Sequence, residues 1–444
     1  MVDMIDKLLS YKPLEKLLRV LNQGSRAYLV GGVVRDSILG KPINDIDLAC
    51  ILKPQSISEL LEGQGFRVVP TGIEHGTILA VVDEEPIEIT TFRAASARHD
   101  TKYSQTIEED LGGRDFTINA IAIDTVTQAL IDPFSGQHDL QAQIVRAVGD
   151  PEARFSEDPL RILRAIRFGP ATNWAIEPLT AEAIRSCGQL LGSVSVERIR
   201  EELSKILLSP NPAAGIRAIN HYGLLVYTVP ELEPTIGCEQ NKWHIHDVFE
   251  HTLAVIERTP PELLMRLAAL FHDIGKPHTI SVGPDGERHF YHHEHVGTDI
   301  CKSAMHRLKY SNDLIESTTM LVQYHMRPLK CSDAAIRRLM RDLGPLLGDW
   351  RRFKWADKSP TMPQDEFDEE ATDFDSKLNL ELSRQDYEAR TKLSINGNDI
   401  ISAFGLKPGP KLGNILNQLK ELILDSPELN TRESLLKIVN RLLE

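Results

Sequence analysis

The stretch Tyr28-Leu-Val-Gly-Gly-Val-Val-Arg-Asp-Ser-Ile-Leu-Gly40, followed closely by Asn44-Asp-Ile-Asp-Leu48, decides the reading of the chain. An apolar strand runs into a glycine turn and then a short helix closed by Gly40. Gly31 and Gly32 let the backbone approach an anion, the first N–H groups of the helix point at it, and Arg35 adds a charge-assisted contact. Taken alone, two glycines ahead of a helix are most often only a tight turn. The second block changes that balance. Asp45 and Asp47 lie two apart on an expected strand, so both carboxylates leave the same face. Hard oxygen donors beside a phosphate-binding turn suit Mg²⁺ held between a nucleoside triphosphate and an attacking hydroxyl. Glu88, in Ile87-Glu-Ile-Thr-Thr-Phe92, alternates correctly to supply a third carboxylate.

Around this block, residues 26–150 alternate short β-rich runs (AYLV, IDLACIL, TILAVV, IEITTF, FTINAIAI) with helical ones, the pattern of an α/β or α+β head. From Pro151 the apolar spacing turns helical, as in DPLRILRAIRF and VERIREELSKIL. The 444 residues exceed what one core supports, and about three units are expected at roughly 150 residues each. No apolar run approaches a membrane span, and the Leu-rich N-terminus reads as a packed helix rather than a signal peptide. Five scattered cysteines without a CxxC pair fit a reducing cytoplasm. A net charge of −14 argues against coating long nucleic acids and leaves local recognition open. Seven acids, Asp365, Glu366, Asp368, Glu369, Glu370, Asp373 and Asp375, crowd one stretch that reads as a solvated linker.

Two further blocks carry specific chemistry. Arg114-Asp-Phe-Thr-Ile-Asn-Ala120 places Arg114, Asp115 and Asn119 closer together than a half-buried strand needs. In Glu157-Asp158-Pro-Leu-Arg161, Asp158 and Arg161 are spaced to sit side by side on one helical face. A carboxylate and a guanidinium complement the Watson–Crick edges of cytosine and adenine, which pair an amino donor with a ring-nitrogen acceptor, and reject uracil and guanine. Arg164 and Arg167 continue that face and can hold phosphates, or else pair with nearby acids.

Together these motifs resemble the polymerase-β-type nucleotidyltransferases, specifically the bacterial-type (class II) tRNA CCA-adding enzymes and their poly(A) polymerase relatives. The resemblance spans about residues 26–210. It implies a nucleotidyltransferase head followed by an all-helical neck, body, HD domain and tail, acting with Mg²⁺, CTP and ATP on tRNA, with no membrane or DNA partner. It further implies that Arg114, Asp115 and Asn119 contact the incoming nucleotide. Gly113 departs from the family pattern, which has arginine there. Glu197-Arg198-Ile-Arg200 resembles the next helical block and reads as mainly structural. The loop from Ala94 to Ile107, with Arg98, Lys102 and Tyr103, is short for a family in which this region helps switch from C to A addition. A partial CC- or A-adding enzyme therefore stays open, as does a poly(A) polymerase.

Eleven of fifteen histidines fall between His244 and His325. His251, the His272-Asp273 pair of FHDIGK, and Asp357 in WADK resemble the HD phosphohydrolase pattern. Imidazoles and carboxylates from separate helices can enclose a divalent transition metal of unknown identity and activate water for phosphoester attack. His295 and His325 are candidates to extend the site to a second metal, with His292 and His293 read as bystanders. The resemblance implies 2′,3′-cyclic or terminal phosphates of damaged RNA ends as substrates. A further alternative is an HD hydrolase that uses its head only to bind RNA. The expected division is a head over 1–150, a neck over 151–232, an HD domain over 233–360, an acidic linker over 361–377 and a helical tail over 378–444. In the tail, Lys407 and Lys411 flank a Pro-Gly-Pro turn that reads as a helix cap or an RNA backbone contact.

Overall fold

The computed structural model describes residues 2–43, 45–70, 76–93, 103–240, 246–284, 286–358, 363–383 and 392–443. The chain divides into two compact units, Met1–Glu233 and Pro234–Glu444. Among the described residues, no helix is long and apolar enough to cross a membrane.

The first unit is built on a seven-stranded sheet of order β3-β4-β5-β2-β1-β6-β7. Its strands are β1 (Ala27–Val30), β2 (Asp47–Cys50), β3 (Arg67–Val69), β4 (Thr77–Val82), β5 (Glu85–Thr91), β6 (Ala122–Asp124) and β7 (Leu130–Ile131). The pair β2 and β5 runs parallel, in a register that sets Asp47 opposite Glu88. Every other pair in this sheet is antiparallel. Leu14, Leu17, Leu18 and Leu21 of helix Lys12–Gly24 are buried at the helical period.

The strand expected over FTINAIAI is one only from Ala122. Thr117–Asn119 is a 3₁₀ turn, held by the bond from Thr117 Oγ1 to Asp139 Oδ2 at 2.7 Å. Gly136 is packed so tightly on it that a Cβ there would lie 2.1 Å from the Thr117 carbonyl oxygen. The neck is helical over Pro151–Glu157, Arg161–Phe168, Pro178–Cys187, Val196–Leu207 and Pro212–His221. It departs from all-helical only at a two-residue parallel ladder, Ile144–Val145 with Ala175–Ile176.

Among its described residues, the second unit is helical apart from a small hairpin, Ser281–Val282 with Arg288–His289. Its tail has its own core of Ile400, Leu412, Ile415, Leu419, Leu435 and Val439. Pro410 opens the helix Pro410–Asp425, so the Pro-Gly-Pro block starts a helix.

The acidic linker is not a linker. Gln364–Ser383 is a 20-residue helix with Phe367, Ala371, Phe374 and Glu381 buried. Phe367, Ala371 and Phe374 recur at i, i+4 and i+7, so one apolar stripe overrides the surrounding charge. Phe374 is 0% exposed and meets Trp350 with ring centroids 5.5 Å apart, while Asp375 takes Arg351 at 3.0 Å. Phe374→Ala is accordingly expected to cost about 3–5 kcal/mol, measured by denaturant unfolding; a solvated linker would lose almost nothing.

Candidate active site and a buried histidine centre

In the first unit a cavity of about 690 Å³ is lined by Gly31, Gly32, Arg35, Asp45, Asp47, Arg114, Asp115, Asn119, Asp158, Arg161, Arg164 and Arg167. These are the expected site residues of the head apart from Glu88, which stands beside Asp47 across the β2–β5 pair. The cavity also takes in Arg93, Asp110, Phe168 and Arg198. Asn44 and residues 94–102 of the suspected specificity loop lie outside the described residues.

Gly31 carries φ +73° as the N-cap of helix Gly32–Leu39, and a Cβ there would lie 2.8 Å from Arg114 Nη1. Both the conformation and the close guanidinium require glycine. Burial, then the charge of Glu88, pushes the Asp47 carboxyl up to about 6, with Arg114 pulling the other way. Clustered carboxylates that resist ionising together make a site whose charge a divalent cation would complete.

Around them the arginines are already aimed. Arg35 Nη1 donates to Asn119 Oδ1 at 2.9 Å, and Asn119 Nδ2 donates to Asp115 Oδ1 at 3.0 Å. Arg164 Nε donates to Asp115 Oδ2 at 2.7 Å. Burial alone would raise the Asp115 carboxyl, but Arg164 and Asn119 outweigh it and hold it at about 2. Arg167 pairs with Glu202 at 2.7 Å and lies 4.0 Å over the Phe168 ring. Both arginines thus hold acids far away in sequence rather than the nearby ones.

Asp158 and Arg161 do not share a helix. Asp158 is extended, φ −142° and ψ 98°, where Pro151–Glu157 ends, and Arg161 begins Arg161–Phe168. The cause is Pro159, which disfavours helical geometry in the residue before it. The two still line one cavity. Asp158 Oδ1 accepts from Leu160 N at 3.2 Å, and its Oδ2 pairs with Arg198 at 2.8 Å. Arg161 Nη2 donates to the Gly113 carbonyl at 2.9 Å and Nη1 to Glu157 Oε2 at 3.1 Å. Arg198, read as structural, therefore faces the site; its position two residues before Arg200 gave no separate signal.

The second unit gathers His251, His272, Asp273, His293, His325 and Asp357 into one buried centre. It forms two sets, His251–His272–Asp357 and Asp273–His293–His325. Asp273 joins them: Oδ2 lies 3.2 Å from His272 Nε2 and Oδ1 3.2 Å from His293 Nε2. Nδ1 of His272, His293 and His325 each meets a backbone carbonyl, at 2.9, 2.7 and 2.6 Å. That second contact fixes each ring and leaves Nε2 as the ligand atom. His272 Nε2 is buried with no hydrogen-bond partner, and the Nε2 atoms of His293 and His325 face each other at 3.2 Å. Orphaned and opposed imidazole nitrogens fit a centre made for cations.

Cations of the chain occupy part of that role. Lys276 Nζ stands 2.6 Å from Asp273 Oδ2, an ion contact without hydrogen-bond geometry for that oxygen. Burial lowers the buried Lys354 ammonium to about 8, against the opposing pull of Asp357. Burial works to raise both Asp273 and Asp357, yet the neighbouring histidines and lysines hold them well below the ordinary carboxylate range.

Two expectations are corrected here. His293 belongs to the centre, whereas His295, with its side chain 60% exposed, belongs to a separate outer group with His292 and Glu294. The helix His293–Arg307 begins at His293, so its first side chain turns inward. Gly275 fixes the approach: a Cβ there would lie 2.2 Å from the His293 carbonyl oxygen and 2.6 Å from Gly297 N.

A glycine turn on a helix N-terminus, clustered carboxylates and a ring of oriented guanidiniums define a nucleotidyltransferase head. The comparisons agree: residues 27–146 match the poly A polymerase head domain, 173–236 the RNA and SrmB-binding site of polymerase A, and 290–439 tRNA nucleotidyltransferase domain 2. The A-adding tRNA nucleotidyltransferase of Deinococcus radiodurans is 32% identical, covering 89% of this chain and 91% of its own. The CCA-adding enzyme of Pediococcus pentosaceus is 30% identical over 96% of both chains. The structure of the Bacillus stearothermophilus CCA-adding enzyme in complex with CTP is 25% identical, with a TM-score of 0.71 over 97% of this chain and 98% of that one. The chain belongs to the bacterial tRNA nucleotidyltransferase family that contains the CCA-adding enzymes.

Asp47 yields a pH test. Its carboxyl is raised from 3.8 to about 6, so its contribution to stability is present below the unfolded value and is lost as pH rises through about 6. Metal-free Asp47→Asn should therefore melt above the wild type at pH 8, with the gap closing toward pH 4; a gap that widens in acid would contradict the assignment.

Proposed function

We propose that the chain adds C, C and A to the 3′ end of tRNA, taking the nucleotides from CTP and ATP. The observation that supports this best is the single cavity joining the Gly31–Gly32 turn and the Asp45–Asp47 carboxylates to the Asp158–Arg161 pair. One end suits a triphosphate and the other a base edge.

Backbone N–H groups at Gly31 and Gly32, with Arg35 and Arg114, receive the triphosphate. Asp45, Asp47 and Glu88 hold Mg²⁺, which when bound supplies charge stabilisation for phosphoryl transfer. The tRNA 3′-hydroxyl forms a bond to the α-phosphorus while the bond to pyrophosphate breaks. Asp158 offers acceptors and Arg161 donors to the base, an arrangement that suits cytosine and adenine and opposes uracil and guanine. Arg198 and the Gly113 carbonyl steady that pair. With glycine at 113, the backbone there serves Arg161 and contributes no side chain of its own.

In the second unit, His251, His272 and Asp357 hold one divalent transition metal and Asp273, His293 and His325 a second. When bound, the two ions supply Lewis acidity for hydrolysis of a phosphoester. By resemblance, the substrates are 2′,3′-cyclic and terminal phosphates on RNA ends, whose removal restores a hydroxyl for the head to extend. A second reading, addition of A alone, is raised by the Deinococcus A-adding enzyme, whose 32% identity equals that of the CCA-adding enzyme of Streptococcus gordonii.

Transcripts of tRNA ending before CCA, after C and after CC, incubated with Mg²⁺, CTP and ATP and resolved to single nucleotides, separate the readings. Full CCA on the shortest transcript is expected; A on the CC-ended transcript alone would establish the second reading, and long A tails would overturn both. Asp45→Ala/Asp47→Ala should abolish transfer while leaving hydrolysis by the second unit intact. Asp158→Ala should cut discrimination of CTP over UTP by about 10–100-fold, the worth of one misplaced buried hydrogen bond. Metal analysis after desalting is expected to find two transition-metal ions per chain, both lost in Asp273→Asn and one in His293→Ala.

A further inference from the structure

Resting on that reading of the buried centre, we infer that His292, Glu294 and His295 form an outer site that captures a divalent transition metal and passes it inward. The buried ligands are closed to solvent: the side chains of His251, His272, Asp273, His293 and His325 are at most 4% exposed, and Asp357 is 14% exposed. A hydrated ion must shed water before it can enter so closed a set, and a partial ligand set on the outside lowers that cost.

The outer trio has the required chemistry. One ligand atom from each residue lies within 4.8 Å of the others, and two imidazoles with a carboxylate suit zinc, nickel or cobalt. The rings of His292 and His295 stack with centroids 6.0 Å apart. Glu294 reaches both groups of residues: Oε1 lies 3.6 Å from His295 Nε2, and Oε2 lies 3.9 Å from Nδ1 of the buried His293, the ring nitrogen that meets the Phe290 carbonyl.

The trio also lies in the right place. It lines a cavity of about 340 Å³ together with Tyr324 and Met326, the neighbours of His325. His292 and Glu294 are in turn the neighbours of His293, so the cavity is walled by the chain segments that carry His293 and His325, while neither of those two side chains lines it. His292 is held at φ +63°, and this left-handed residue sends His292 outward and His293 inward at the start of one helix.

The test uses the full chain stripped of metal by a chelator, with Co²⁺ as the probe. Equilibrium dialysis should find one more weakly held ion in the wild type than in His292→Ala/His295→Ala. In stopped-flow absorption the double variant should reach the same final signal from the buried centre about tenfold or more slowly. In a His272→Ala background the outer ion should persist and should still vanish on replacing His292 and His295, so capture is read apart from the buried centre. Equal ion counts, or filling of the buried centre at an unchanged rate, would overturn the inference. An outer ion beside a buried centre that takes up none would overturn both the inward transfer and the hydrolase reading.

Discussion

The parallel pairing of β2 with β5 sets Asp47 abreast of Glu88, and the head is organised around the repulsion that follows. The sheet fixes the two Cα atoms as direct partners, so the side chains stay neighbours. Burial and Glu88 raise the Asp47 carboxyl to about 6 while Arg114 and Arg35 pull it down. The chain supplies cationic groups close enough to moderate the cluster without neutralising it. What remains is a deficit of positive charge in the cavity, which a divalent cation together with a triphosphate would fill.

The arginines show how that cavity keeps its form. Arg164 is tied to Asp115, Arg167 to Glu202 and Arg161 to Glu157, and none of the three is held by its own helix's periodicity alone. Partly buried ion pairs of this sort contribute little net stability, because desolvation cancels much of the attraction. Their effect is to fix direction: a guanidinium whose rotamer is already chosen loses less entropy when a phosphate or base arrives. Phe168, under Arg35, Arg164 and Arg167, supplies a flat surface on which three like charges can be kept close.

Local signals were the legible ones. Gly31, Gly32, Asp47 and Glu88 could be placed because a turn and a two-residue period need no knowledge of tertiary contacts; Asp45, expected on the same strand, precedes β2, which begins at Asp47, and still lines the cavity. The turn at Thr117–Asn119 was not legible, since it depends on Asp139 and on the close pass of Gly136, both distant in sequence. Two misreadings did have a signal. Pro159 marked Asp158 as extended, and Phe367, Ala371 and Phe374 marked a helix inside the acidic run. The exchange of His295 for His293 turned on where one helix begins, and the Gly275–Gly297 approach that settles it is invisible to spacing.

The two centres offer a metal opposite surroundings, and their side chains explain why. In the head the carboxylates lie at an open cavity, Asp45 exposed and Asp47 only partly buried. Oxygen donors in that setting leave an ion its water and exchange it readily, which suits a cation that arrives and departs with each triphosphate. In the second unit imidazoles replace oxygens, Nδ1 contacts lock their orientation, and burial removes competing water. Such a set favours transition metals and slow exchange. An ion held that way would be retained like a part of the structure, and the same closure would make its entry the difficult step.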